Sequence, residues 1–190
     1  IFDFVGSRSA AREEARRVCL RLAQLPASLL AVCHTQLPAL SLNHAMCVIG
    51  SLHPSVGQDA RRPTGSNVLV GFDESTGVAV IELNDPNRSN VLSAGLMSDL
   101  VSALKRVRAL KALRALLIQG KGNHFCAGAD PFARSELPLP AMAARDLEST
   151  QLLVSLSTLN VPVVAAVHGV LIGGAMALFL NADYAVADER

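Results

Sequence analysis

From Asn67 onward the chain alternates between short apolar runs and stretches in which apolar residues recur every three or four positions. The short runs predict strands over Val68–Phe72, Val78–Leu83, Ala115–Gln119, Val161–Val167 and Tyr184–Ala187, several of them rich in β-branched residues. Leu96, Leu100, Ala103, Leu104, Val107 and Leu110 mark an amphipathic helix. Further helices are predicted over Ala141–Leu159 and Gly173–Leu180. Asp73–Gly77 is a turn with glycine where a positive φ is needed, and residues 84–90 form a loop. Pro138 and Pro140 interrupt another. Strands alternating with helices predict an α/β layout with a mainly parallel sheet.

Before Asn67 the pattern is different. Ala15, Val18, Leu22 and Leu25 follow a helical spacing over residues 7–25, with Arg12, Glu13, Glu14, Arg16, Arg17 and Arg21 around them. Pro26 breaks that helix, and Ala27–Val32 is a second apolar stretch. Gln36–Asn67 carries Pro38, Pro54, Pro63, Gly50, Gly57 and Gly65 without periodicity and reads as connector, with 58–67 the most linker-like part.

Composition narrows the picture. A chain of 190 residues fits one domain, or one domain with a fragment of another. A hydrophobic fraction of 51% and a mean hydropathy of +0.36 support a dense core. A net charge of +1, with no basic stripe interleaved with aromatics, argues against nucleic acid or a charged membrane surface as partner. Cys19, Cys33, Cys47 and Cys126 form no Cys-x-x-Cys pair, so neither a disulfide framework nor a zinc knuckle is expected, and the compartment is read as reducing. His44 and Cys47 are a lone pair, read as packing rather than a metal site. The chain begins at Ile1 and ends at Arg190, which reads as a fragment.

The chemistry concentrates in two segments, His124–Asp130 and Val167–Leu178. Each reads as a strand, a small-residue turn and a helix. The two turns, 45 positions apart (129 to 174), can aim bare backbone N–H groups at one oxygen, as an oxyanion hole requires. That geometry suits thioester chemistry. Its rivals fit less well. Gly169, Gly173 and Gly174 do not make G-x-G-x-x-G, no G-x-x-x-x-G-K-[S/T] occurs, and no G-x-S-x-G elbow supplies a nucleophile. Residues 161–180 hold no formal charge and contain Gly169-x-x-x-Gly173, which invites a membrane span. Pro162, His168 and the β-rich first half favour strand, turn and helix instead.

Taken together, His124-Phe-Cys-Ala-Gly-Ala-Asp130, Pro162-Val-Val-Ala-Ala-Val-His-Gly169, Gly173-Gly174 and Ala182-Asp183-Tyr-Ala-Val-Ala187 resemble the enoyl-CoA hydratase/isomerase (crotonase) superfamily. Leu83-Asn-Asp-Pro86 and Asn90 resemble its first signature loop, and the likeness runs from about Val68 to Arg190. It implies a ClpP/crotonase-like spiral of ββα units, here truncated in its C-terminal half. It implies an acyl-CoA or acyl-carrier-protein thioester as ligand, with coenzyme A or phosphopantetheine part of the substrate and no separate cofactor or metal. Ala129 and Gly174 would be the oxyanion N–H donors. Asn87, Arg88, Ser89, Ala127, Asp130, Pro131, Ile172 and Gly173 would line the substrate path. Asp183 is read as structural, His124 and His168 as turn and packing residues, and Cys126 as facing the core, where it is inert.

The sequence also departs from the family. Hydratases of this family carry a glutamate three residues after the second oxyanion glycine, where this chain has Ala177. Their second glutamate, and the helices that build a homotrimer, would fall beyond Arg190. Water addition needs a carboxylate to hold the water and move its proton. The resemblance therefore implies a lyase or isomerase of the hydratase/dehydratase, isomerase or decarboxylase type, with Ala177 counting against simple hydration. Some members tied to polyketide assembly also lack this glutamate. The alternative is a catalytically silent module with a binding or assembly role. Residues 11–36 are similar to the last helices of a crotonase domain. On that reading residues 1–57 are the tail of a preceding unit plus connector, 58–67 a linker, and 68–190 the front of another unit, as in a multidomain synthase. The expected location is cytoplasm or an organellar matrix or stroma.

Overall fold

The computed structural model describes residues 2–5, 8–24, 66–130 and 139–188. The apolar stretch expected at Ala27–Val32 and nearly all of the expected connector lie outside them. Among the described residues six strands form one sheet: β1 (Phe2–Val5), β2 (Val68–Asp73), β3 (Val78–Leu83), β4 (Ala115–Gly120), β5 (Val163–Val167) and β6 (Tyr184–Asp188). Their order across the sheet is β1-β6-β5-β4-β3-β2. β2 and β3 form an antiparallel hairpin, while β3, β4, β5, β6 and β1 run parallel. The hairpin closes at Gly77, whose φ of +73° and N–H to Asp73 C=O bond (2.8 Å) explain the glycine there.

Among the described residues four α-helices cover the sheet: α1 (Arg8–Ala23), α2 (Ala94–Arg108), α3 (Leu139–Ser157) and α4 (Gly174–Leu180). α2 begins where Ser93 Oγ accepts from Leu96 N–H, a cap worth about 1 kcal/mol. Its buried face is Leu96, Met97, Leu100, Ala103, Leu104 and Val107, close to the predicted stripe. α3 starts two residues before its expected position because Pro140 sits in its first turn. There the missing N–H has no intrahelical role, so the proline that read as a loop-breaker is tolerated. β5 starts at Val163 rather than Val161, since Pro162 has no N–H for the ladder; its carbonyl still accepts from Leu116 N–H at 2.9 Å.

Each face of the sheet has its own core. Ile81, Leu116, Ile118, Ala165 and Val167 pack beneath α2, α3 and α4. Val78, Ala115, Leu117, Val164, Ala166 and Val186 meet Ala15, Val18, Cys19 and Ala23 of α1. Period-two alternation sends successive side chains to opposite faces, so both faces being apolar gives the near-continuous runs seen in the sequence. β1 was not expected from the sequence; its register with β6 pairs Phe2 with Ala185 and Val5 with Asp188. Among the described residues no helix is long and apolar enough to cross a membrane.

Candidate functional site

Three loops meet at the carboxyl ends of the parallel strands, following β3, β4 and β5. The first, after β3, turns through a 3-10 segment at Pro86–Arg88 into Ser89 and Asn90, both left-handed at φ +54° and +53°. Asn90 is fully buried, and Asn is among the few non-glycine residues that accept this backbone. Its Oδ1 accepts from Asp85 N–H (2.9 Å), and its Nδ2 faces the carbonyls of Lys121, His124 and Phe125 at 3.0, 2.8 and 3.1 Å. One side chain thus ties the first loop to the second.

The second loop, 121–130, then runs beside both of its neighbours. Leu92 bridges Ala129 in parallel, with Leu92 N–H donating to Gly128 C=O at 2.7 Å, and Cys126 bridges Leu171. Contact with the third loop is close. A Cβ on Gly128 would lie 2.5 Å from Ile172 O, so only glycine lets the backbones approach this far. Gly128 holds φ +80° as well.

Ala129 and Gly174 are brought together by these contacts. A Cβ built on Gly174 would sit 3.9 Å from Ala129 N and 3.2 Å from Leu92 Cδ1. Both residues are exposed, and neither amide donates a hydrogen bond within the described residues. Gly173 (φ +56°, ψ −128°) has nothing within 4 Å of its Cβ position, so the backbone there is bare, and Ile172 beside it is 56% exposed. α4 is only seven residues long, and the two amides, rather than a helix macrodipole, are what the site offers.

The remaining expected site residues divide. Ser89 and Ala127 meet, Ala127 N–H donating to Ser89 C=O at 3.0 Å. Arg88 is half exposed and pairs with the nearly buried Asp130 at 2.6 Å, so each of these charges faces the other. Asn87 is exposed on the 3-10 turn, Pro131 lies outside the described residues, and so does the helix expected directly after Asp130. Ala177 is partly buried one turn into α4 and brings no ionisable group to the site. Asp183 acts structurally, as expected: its carboxylate accepts from Val163 N–H (2.7 Å) and its own N–H donates to Val163 C=O (2.8 Å). Cys126 is fully buried, its thiol donates to Asn90 C=O (2.9 Å), and burial pushes its pKa up to about 11, which keeps it an inert thiol.

The histidines do more than pack. Val170 N–H donates to His124 Nδ1 (3.1 Å), and His168 Nε2 donates to Gly122 C=O (2.9 Å). Sequence reasoning misses these contacts, because a turn histidine and a hydrogen-bonded one look alike until the two loops are placed side by side.

The family described as enoyl-CoA hydratase/isomerase matches residues 73–190. A probable enoyl-CoA hydratase of Mycobacterium leprae is 37% identical over 120 residues, covering 60% of this chain and 41% of that protein. The crystal structure of an enoyl-CoA hydratase of Mycobacterium smegmatis aligns with a TM-score of 0.60 at 30% identity, over 64% of this chain and 47% of the other. An enoyl-CoA hydratase/isomerase structure from Xanthobacter autotrophicus Py2 gives a TM-score of 0.59 at 26% identity, over 66% and 49%. The chain thus spans less than half the length of these relatives.

Proposed function

The chain belongs to the enoyl-CoA hydratase/isomerase (crotonase) family, and from that premise we propose that it binds an acyl thioester and stabilises its enolate between the amides of Ala129 and Gly174. The observation that carries the reading is the closeness of Ala129 and Gly174, two exposed residues whose amides donate no hydrogen bond among the described residues; a Cβ built on Gly174 would end 3.9 Å from Ala129 N. A thioester carbonyl held there becomes an oxyanion as charge moves onto it. Two N–H donors fixed beforehand favour that charged form over the neutral carbonyl. The arrangement recruits backbone alone, so only small residues at the turn let the thioester come close. Ser89, Ala127, the Arg88–Asp130 pair, Asn87, Ile172 and Gly173 would line the path of the thioester.

Ala177 directs the reaction type. With no carboxylate there to hold water, addition of water across an enoyl double bond lacks its proton carrier. Decarboxylation of a malonyl-type thioester needs none at the first step. The bond from Cα to the carboxylate breaks, CO2 leaves, and the electron pair becomes an enolate whose oxygen accepts both N–H bonds. A proton from solvent then reaches Cα. The same feature supports the second reading, a module that binds a thioester without turning it over. The thioester is carried by coenzyme A or by a carrier protein, and the complete unit would act in a homotrimer or within a multidomain synthase.

The test uses acetoacetyl-CoA, whose enolate absorbs where the keto form does not. Titration into the chain is expected to give saturable binding with growth of the enolate band. Gly174→Pro deletes one donor at the first position of a helix, where proline fits. It should weaken enolisation by about 100- to 1,000-fold, the scale seen when one such donor is lost. Unchanged enolisation in Gly174→Pro would refute the hole. Turnover of malonyl-, enoyl- or carrier-bound thioesters then separates enzyme from silent module.

A further inference from the structure

The loops that carry Ala129 and Gly174 cross-link reciprocally. Phe125 N–H donates to His168 C=O (2.6 Å), and Cys126 N–H donates to Val170 C=O (3.1 Å). Between those backbone bonds sit two imidazoles pointing in opposite directions. His124, on the second loop, accepts Val170 N–H from the third; His168, on the third, donates to Gly122 C=O on the second. The close approach is guarded by Gly169, at φ +54°, where any Cβ would collide with Asn123 O and come within 2.5 Å of His124 Nδ1. Ala129 lies three residues beyond Cys126, and Gly174 four beyond Val170.

We infer that His124 and His168 are positioning residues, a two-sided clasp that sets the separation of the Ala129 and Gly174 amides. This rests on the oxyanion reading above for its functional meaning, though not for its geometry. The two histidines use different atoms, and this makes the clasp testable. His124 must present an unprotonated Nδ1, close to the backbone, and therefore carries its proton on Nε2. His168 must present a donor at Nε2, one atom further out. Asparagine mimics the first position and glutamine the second. Placing either nitrogen about 1 Å off moves a donor amide enough to cost as much as about 100-fold in a reaction that depends on it.

The experiment takes the 190-residue chain and the variants His124→Asn, His124→Gln, His124→Ala, His168→Gln and His168→Asn. The readouts are acetoacetyl-CoA enolisation and the amide nitrogen–proton spectra of Val170, Ala129 and Gly174. The expected result is asymmetric rescue. His124→Asn and His168→Gln stay within about threefold of the parent. His124→Gln, His124→Ala and His168→Asn lose about 10- to 100-fold in enolisation. In those three variants the Ala129 and Gly174 amide signals shift. Equal behaviour of Asn and Gln at each position would overturn the clasp and leave the histidines as space-fillers. Nitrogen spectra of the parent at neutral pH give a check that needs no variant to fold: a proton found on His124 Nδ1 overturns the assignment. If the parent fails to enolise the probe, the oxyanion reading falls. The amide shifts alone then decide the clasp, present with Gln at 124 and absent with Asn if it exists.

Discussion

Gly128 and Asn90 show how single residues hold the loops that carry Ala129 and Gly174, and each allows a direct prediction. Gly128→Ala puts a methyl 2.5 Å from Ile172 O at a φ of +80°, so the second and third loops must separate. The expected result is loss of acetoacetyl-CoA binding by at least about tenfold with the fold retained, read by calorimetry and circular dichroism; a misplacement near 1 Å is enough for that. Asn90→Ala strips partners from three loop carbonyls and the Asp85 N–H, in a fully buried setting. Leaving such groups unsatisfied is expected to cost about 2–3 kcal/mol in urea unfolding, and a loss below about 0.5 kcal/mol would contradict the role given to it. At this scale the sequence was informative about identity and silent about partners. Ala129, Gly174 and Asp183 stood out as motif positions. The contacts of His124 and His168 did not, because each reaches backbone some 46 residues away.

Among the elements, β3 and α4 came close to their predicted limits because their apolar runs end at residues that stop them. Differences arise at prolines: Pro140 is admitted to α3 and Pro162 is kept out of β5, each through its missing N–H. β1 is only four residues long, and Phe-Asp-Phe-Val carries too short an alternation to announce a strand. Two elements also hold titrating thiols. Burial raises Cys19 on α1 from 9.0 to about 12 and Cys126 on the second loop from 9.0 to about 11. In the unfolded chain both ionise near their ordinary value, while in the folded chain they stay neutral. Stability attributable to them is therefore intact below about pH 8.5 and declines as pH rises toward 11, since the unfolded state sheds protons that the folded state keeps. Urea midpoints measured from pH 7 to 10.5 should fall above pH 9, and Cys126→Ala should flatten part of that fall. A midpoint that stays level through pH 10.5 would contradict the burial assigned to the thiols.

For the molecule as a whole, the far edge and back of the sheet depend on α1 and β1, which precede the family-matched region. Ala15 is fully buried against that face, and the Arg114 guanidinium bonds the Ala23 carbonyl at the end of α1. Ala15→Glu buries a carboxylate beneath the sheet and is expected to lower stability by about 3 kcal/mol or more, measured by urea unfolding. A change under 1 kcal/mol would mean that α1 does not cover this face in solution. The sequence by itself determined the alternation of strands and helices, the parallel layout and the two glycine-alanine turns. Each of these follows from local periodicity and backbone sterics, which act within a few residues. It determined the absence of a carboxylate at 177 as well. The tertiary structure alone decided that the two turns converge, that α1 and β1 close the sheet from the other end of the chain, and that two histidines cross between loops. Those are contacts between segments tens to more than a hundred residues apart. Their spacing is set by how the sheet stacks its crossovers, which no local pattern of apolar and polar positions encodes.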